Sequence, residues 1–511
     1  MNLPSVTIIN GQGGLQRPPA GSDFISGIIA YMSTLPSGFD SNNRTKKVNS
    51  LAQAVALGIN FNFSEYNAAL ALKLTGTVQV TAVGSNGNTV TVTHTNVKGE
   101  VVILGTYTKV SGDTTTTQVA TAIRNAINAR TNITGYTATA STSTVTIVAP
   151  AFNGIFAGNL ATSIVGAIAT TVTGFSGGTI SPIAALYYHV SEFFRAMPNG
   201  ELYIHIPAST YGGTFSEITT LVNFAQGKIR QIGIMNDLQT AFATSQISAI
   251  QARCEDAFTA NRPIVSVFAP EISATSDLAN LVDLSGLDCE MVGVTIGQDG
   301  GTTGVGAWLY KSLGKSLSDL GAKLGTLAKS KVSDSWSWVG AYNMTNGLEL
   351  NDIAFSNGTT YDAAYTAGIL EQLVTYGYSF LFKIVDTVGT YNTQPNTCTL
   401  ESSDYRFLYL NRAIQKAGRL ERIGMIPYQS SPTILSADGT MTDVTIETFR
   451  SAVEQQLDSM VRASEISAYQ VLIDPLQLIL QTNAVEIAVN ILPVGVADYI
   501  TIKNTFTLSI A

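Results

Sequence analysis

Apolar and polar positions alternate with a period of two over residues 78–83 and 89–93, the pattern of strands with one buried face. Asn86-Gly87 between them predicts a hairpin turn. Residues 101–104 and 144–148 read as further strands. Residues 118–129 carry Val119, Ile123, Ala126 and Ile127 at helical spacing. From 181 onward the two periods take turns. Residues 202–207, 229–234, 263–269 and 290–296 read as strands, and 238–259 and 306–328 as helices. Residues 336–342 continue the alternation. Thr214-Phe215-Ser216-Glu217 has the spacing of a capping box, opening a helix that Gly227 can close. Such a series predicts a largely parallel sheet with helices on both faces. The last third adds helices over 363–375, 404–422 and 445–465, then strands over 469–474, 485–491 and 499–510.

These patterns divide the chain. Residues 1–20 read as an N-terminal arm: Val6, Thr7, Ile8 and Ile9 make a short strand among Gly11, Gly13, Gly14, Pro18 and Pro19, which break regular structure. Residues 21–75 and 179–359 form a discontinuous α/β domain, with helices over 48–58 and 65–74 in its first part. Residues 76–178 are a β-rich insertion of another character, rich in threonine and holding only six charged residues, Lys98, Glu100, Lys109, Asp113, Arg124 and Arg130. A loop tolerates such an insertion when its ends lie close. Residues 360–495 are assigned to a C-terminal domain and 496–511 to a C-terminal β-arm. An unpaired strand edge is sticky, so a last strand this regular needs a partner. The fold class is therefore α/β, with an inserted β-rich domain and extended arms at both ends.

Composition narrows the function. Of 511 residues, 45% are hydrophobic and only 13% charged, and the net charge is −8. That argues against disorder and against a nucleic-acid partner held by phosphate contacts. A surface short of charge fits a subunit that buries much of itself against neighbours. Cys254, Cys289 and Cys398 are widely spaced, with no C-x-x-C pair, so neither a disulfide framework nor a zinc site is read from them. The start of the chain lacks a basic segment followed by an apolar block, and the least polar stretch, 161–172, is too short to span a bilayer. The expectation is a protein folded in the cytoplasm with no membrane anchor.

No catalytic constellation stands out. Gly314-Lys315-Ser316 has the tail of a phosphate-binding loop, but Leu309 occupies the place of the required earlier glycine. His94, His189 and His205 show no metal-ligand spacing and read as structural. No G-x-S-x-G elbow is present. Neither an enzyme activity, a cofactor nor a metal is expected. One charge pattern is distinctive. Arg406, Arg412, Lys416, Arg419 and Arg422 fall in one helix, and Arg412, Lys416 and Arg419 share a face at i, i+4, i+7. That row reads either as a solvated face or as a docking strip for an acidic partner.

The C-terminal third resembles the tail-sheath proteins of contractile phages and related contractile injection systems. The resemblance rests on the order Phe449-Arg450, Val461-Arg462-Ala463, Ile473-Asp474-Pro475, the strand over 485–491, Leu492-Pro493-Val494-Gly495, and Asp498-Tyr499-Ile500-Thr501-Ile502. The stretch 185–195 followed by Gly200-Glu201-Leu202-Tyr203 is also similar to sheath proteins with outer-domain insertions. The threonine-rich insert departs from the common pattern and is expected to project outward.

The resemblance implies a virion structural protein that polymerises as stacked hexameric rings around an inner tail tube, assembled in the host cytoplasm. It implies contraction without a cofactor, and partners that are further copies of the chain, the tube, the baseplate and the tail terminator. It implies inter-subunit strands made by Val6, Thr7, Ile8 and Ile9 at one end and by Tyr499, Ile500, Ile502, Phe506 and Leu508 at the other. Gly13 and Gly14, and Pro493 and Gly495, would be hinges. Arg412, Lys416 and Arg419 would face the tube. Two other readings stay open from the residues alone: another self-assembling shell or surface-layer protein, and an α/β enzyme with an added β domain.

Overall fold

The computed structural model describes residues 22–32, 34–60, 75–95, 101–149, 160–176, 181–208, 213–236, 241–300, 305–345 and 349–502. The expected arm strand at Val6, Thr7, Ile8 and Ile9, the glycines Gly11, Gly13 and Gly14, the helix over 65–74, and Phe506 and Leu508 lie outside these. Over the described residues the chain forms two compact units. The first runs to Lys329 and resumes over Trp336–Arg406; the second takes Ser330–Ser335 and continues from Phe407.

The first unit begins with β1 (Ile25–Ala30), β2 (Thr45–Val48) and α1 (Leu51–Ala56). The insertion follows: β3 (Thr75–Val83), β4 (Thr89–Thr95), β5 (Val101–Thr108), α2 (Thr116–Asn128), α3 (Thr131–Thr134), β6 (Thr137–Ser141), β7 (Thr144–Val148), β8 (Leu160–Val165) and β9 (Ile168–Ser176). The α/β series then resumes with α4 (Ile183–Ala196), β10 (Glu201–His205), α5 (Glu217–Phe224), β11 (Gln231–Met235), α6 (Thr244–Thr259), β12 (Val265–Ala269), β13 (Val292–Thr295) and β14 (Gly297–Asp299). It ends with α7 (Val305–Leu313), α8 (Leu320–Lys329), β15 (Ile353–Phe355), α9 (Tyr361–Thr366), α10 (Leu370–Thr375), β16 (Tyr378–Ser379), β17 (Leu381–Phe382) and β18 (Tyr391–Asn392).

The main sheet has seven strands in the order β16-β13-β12-β11-β1-β10-β2. All neighbours are parallel except β2, which closes one edge antiparallel to β10. Every residue of β1, β11, β12 and β13 is buried, as central parallel strands require. Gly27 of β1 faces Leu221 of α5, whereas Gly233, paired with Ile28 on the other side of the pleat, faces Leu320 and Leu324 of α8. Helices therefore cover both faces, as the sequence predicts. On the α8 side a second helix, α4, packs unusually close. A Cβ at Gly321 would stand 2.1 Å from the His189 carbonyl oxygen, and one at Gly325 2.7 Å from that of Phe193. Only glycine one turn apart allows that approach.

The long helix expected over 306–328 is instead two, α7 and α8. Gly314 takes φ +62°, a left-handed conformation that ends α7, and Lys315 lies in the break rather than inside a helix. The capping box at 214–217 is absent: Ser216 makes no side-chain cap, and Glu217 accepts a hydrogen bond from the Tyr31 hydroxyl at 2.9 Å. Residues 336–342 form no strand; Trp336 is buried and its indole N–H donates to the Thr393 carbonyl at 2.8 Å. The boundary expected at 360 falls at 406, because Tyr378 and Ser379 extend the main sheet beside β13.

The insertion has two antiparallel sheets, β6-β7-β3-β9 and β5-β4-β8, with α2 packed on them around a core of its own. Thr115 and Gln118 form a capping box at the start of α2. The Asn86-Gly87 turn does not join a hairpin. β3 pairs with β7 and β9 and β4 with β5 and β8, so the turn is a corner between sheets. The β8–β9 connection is a second corner. The Asn88 side-chain oxygen accepts from Ser85 N–H and from Ala167 N–H, both at 2.8 Å, and pins the two together. His94 is buried against the Tyr136 and Phe175 rings.

Candidate functional site

The second unit holds the residues expected to mediate assembly. It comprises α11 (Leu408–Met425), α12 (Asp443–Arg462), β19 (Ile466–Leu472), α13 (Ile479–Thr482) and β20 (Ala488–Pro493). In α12 Ile446, Phe449, Val453, Leu457 and Met460 recur at helical spacing and are buried, and Thr442 caps its start through a bond from Thr445 N–H. They pack on Ala413 and Ala417 of α11 and on Ile466 and Val471 of β19. Tyr428 meets the Phe449 ring edge-on at 5.4 Å.

The row of cations on α11 is not an exposed docking strip. Arg412 is 4% exposed. Its guanidinium donates to the Ser330 hydroxyl at 2.8 Å and to the Lys331 carbonyl at 3.3 Å. Lys416 pairs with Glu465 at 2.6 Å, with both side chains largely buried. Arg419 is half-buried. Arg406 precedes the helix and pairs with Glu401. The expectation that Arg412, Lys416 and Arg419 face a partner together is thus corrected: the first two hold the unit together. Their i, i+4 spacing is real, but it points them at Ser330, Lys331 and Glu465, which no local pattern relates to the helix. The exposed end of α11 carries Arg422 and Ile423. Beside it an open groove is lined by Ile423, Pro427, Tyr428, Val444 and Ala452.

Among the described residues β19 and β20 form a two-stranded antiparallel sheet, with Tyr469 opposite Ile491 and Val471 opposite Val489. The Tyr469 hydroxyl donates to Asp458 at 2.6 Å; desolvation and that carboxylate push its pKa up. Pro493, expected as a hinge, is the last residue of β20 and accepts a bond from the Ser467 hydroxyl. The chain leaves the sheet after it, and a Cβ added at Gly495 would meet open space. Tyr499, Ile500 and Ile502, expected in a strand, lie in none here and are 86%, 79% and 78% exposed. Leu472, Leu476, Leu480 and Leu492 are also exposed.

Among the described residues no group of histidines, cysteines and carboxylates could hold a metal ion. Among them, too, no helix is long and apolar enough to cross a membrane. His189 and His205 are buried; Nδ1 of His205 lies 2.7 Å from the Thr45 hydroxyl, and burial lowers its pKa.

A search of curated proteins gives no match. Among solved structures, the chain is similar to the cryo-EM structure of the anti-feeding prophage baseplate, at 11% identity over 99% of this chain and 100% of that one, with a TM-score of 0.48. It is similar to the anti-feeding prophage helical sheath in the contracted state at 11% identity, over 99% of each chain, with a TM-score of 0.48. A third is the PVC sheath complex of an extracellular contractile injection system in the contracted state, at 13% identity over 63% of this chain and 81% of that one, with a TM-score of 0.40. Two family profiles match in sequence order: the DUF2586 N-terminal domain over residues 83–396 and the DUF2586 C-terminal domain over 404–511. The first spans more than half of the chain and the second most of the rest, so this protein belongs to the DUF2586 family.

Proposed function

We propose that the chain is a structural subunit of a contractile sheath. It polymerises as stacked hexameric rings around an inner tube, in the tail of a phage or a related injection particle assembled in the host cytoplasm. The observation that carries this reading is the end of the second unit. A sheet of two strands is followed by a segment whose Tyr499, Ile500 and Ile502 are almost fully exposed and lie in no strand. The edge of a short sheet offers unpaired N–H and C=O groups, and an extended segment from another copy can add to it through main-chain hydrogen bonds with little demand on sequence. Residues 1–20 and 496–511 are the proposed arms, with the proposed hinges at Gly13, Gly14, Pro493 and Gly495. The order of motifs from Phe449 to Ile502 supports the same reading.

The subunit does this work without catalysis: contraction releases a metastable assembly into one with more inter-subunit contact. Its partners are further copies of the chain, the inner tube, a baseplate and a tail terminator. Because Arg412 and Lys416 are committed inside the unit, a tube contact made by α11 falls to its exposed end at Arg422 and Ile423.

Negative-stain electron microscopy of the purified protein, beside a variant lacking residues 496–511, tests the proposal. Hollow tubes or rings that vanish on truncation are expected. Small discrete oligomers in both samples would overturn it. Closed shells or flat lattices that survive truncation would favour a shell protein instead.

A further inference from the structure

We infer that Cys289 and Cys398 form a latent cross-strand disulfide site in the first unit. The three cysteines of the chain are far apart in sequence, yet all are buried and Cys289 lies within electrostatic reach of the other two. Cys289 precedes β13, and Cys398 follows β18. The two face each other as an antiparallel bridge outside the named strands. Cys289 N–H donates to the Cys398 carbonyl at 2.9 Å, and Cys398 N–H returns a bond to the Cys289 carbonyl at 3.2 Å.

A reciprocal pair of this kind sets the two Cα atoms about 5.5 Å apart, with both side chains on one face. Disulfides span Cα separations of roughly 4.4–6.8 Å, so the backbone needs no rearrangement. The Cβ atoms of a hydrogen-bonded pair stand wider than a relaxed disulfide prefers. The bond would therefore carry strain and reduce readily, as labile, regulatory disulfides do. Cys254 offers no such backbone pairing; it lies on α6 with its sulfur 3.2 Å from the Ser266 hydroxyl.

The oxidant is a small peroxide. The Cys289 sulfur attacks it, the O–O bond breaks, and a sulfenic acid and one water form. The Cys398 thiol then displaces hydroxide from that sulfur, the S–S bond forms, and a second water leaves. Two thiols are oxidised and one hydrogen peroxide is reduced to two waters. Burial pushes both thiols up in pKa, which keeps them protonated and inert in the closed fold. Reaction then proceeds through local opening, so the pair stays reduced in a reducing compartment and closes slowly in an oxidising one. Closure would tie the segment ahead of β13 to the chain that follows β18. The loop it spans is long, the case in which a cross-link restricts the unfolded chain most.

Full-length protein is treated with hydrogen peroxide, blocked with an alkylating agent, digested without reductant and mapped by mass spectrometry. The expected result is a single pair of peptides joined through Cys289 and Cys398, two hydrogens lighter than their sum and separated again by dithiothreitol. The thermal midpoint of the oxidised protein should rise by several degrees and return on reduction. The same cross-link should persist in Cys254→Ala. A Cys254–Cys289 link would overturn the inference. So would a link between two chains, or sulfinic acid at one cysteine with no joined peptide. The wild-type map decides the matter even where Cys254→Ala fails to fold.

Discussion

The inserted β domain and the C-terminal unit both contain short antiparallel strands with alternating patterns, and they dispose of their apolar residues in opposite ways. In the insert Val78, Val80, Val90, Val92, Leu104, Val145 and Ile147 point into one core, between two sheets and a helix. Among the described residues of the C-terminal unit the sheet has two strands, and Leu472, Leu476, Leu480, Leu492, Tyr499, Ile500 and Ile502 stay exposed. The insert has enough strands to cover its own apolar face. The C-terminal unit has a covered face toward α12 and apolar groups left over. A domain that closes on itself leaves few apolar groups over; a sheet with an open edge is where the proposed arm of another chain would add a strand.

The largest expected effect breaks this contrast if it fails. Excising residues 76–178 and joining the ends with a short flexible linker should leave self-assembly intact under electron microscopy, whereas removing 496–511 abolishes it. Loss of assembly in both variants would mean that the insert is also an assembly element. Next, Leu104→Ala opens a cavity in the insert's core and should cost about 2–5 kcal/mol in that domain's denaturant unfolding, with no change in assembly.

Arg412→Ala removes the guanidinium's bonds to the Ser330 hydroxyl and the Lys331 carbonyl, and should destabilise the C-terminal unit by ~1–3 kcal/mol. Arg412→Glu places a carboxylate against those oxygens and should unfold the unit, seen as loss of its thermal transition. An outward-facing arginine would tolerate both changes.

The first unit should show a tilt with pH. Burial raises the Asp299 carboxyl to about 7 from 3.8, although Val305 and Leu350 N–H groups donate to it. Between those two values the folded state holds a proton that the unfolded state has lost, so stability falls as pH rises from about 4 to about 7. The slope is at most about 1.4 kcal/mol per pH unit, and Asp299→Asn should flatten it in denaturant titrations. The smallest effect on folding belongs to the exposed segment. Tyr499→Ala and Ile500→Ala should shift monomer stability by less than ~0.5 kcal/mol while weakening assembly, a split measurable by unfolding and sedimentation side by side.

Arg412 shows why reading the sequence identified this helix but not its role. Helical spacing tells which residues share a face; whether that face meets solvent depends on Ser330 and Lys331, some eighty positions away. The Asn86-Gly87 turn has the same lesson. Its conformation is local and the sequence shows it, but the partners of β3 and β4 are chosen by which strands cover the core. β1 leaves no such signal: six buried residues without alternation, including Ser26 and Gly27, have no period.

What the residues determined alone is local and periodic. It includes the β-α-β series and its parallel sheet, the insertion with its change of composition, the helices expected over 404–422 and 445–465 and found at 408–425 and 443–462, and the apolar alternation that runs out past Pro493. Each follows from side-chain spacing against a backbone repeat, which a few consecutive residues suffice to define. What only the tertiary structure decided is non-local. It set Cys289 opposite Cys398, turned Arg412 inward, divided the chain after Arg406, and left Tyr499, Ile500 and Ile502 outside any sheet of the described residues. Those outcomes depend on which distant surfaces bury each other, a quantity no window of sequence contains.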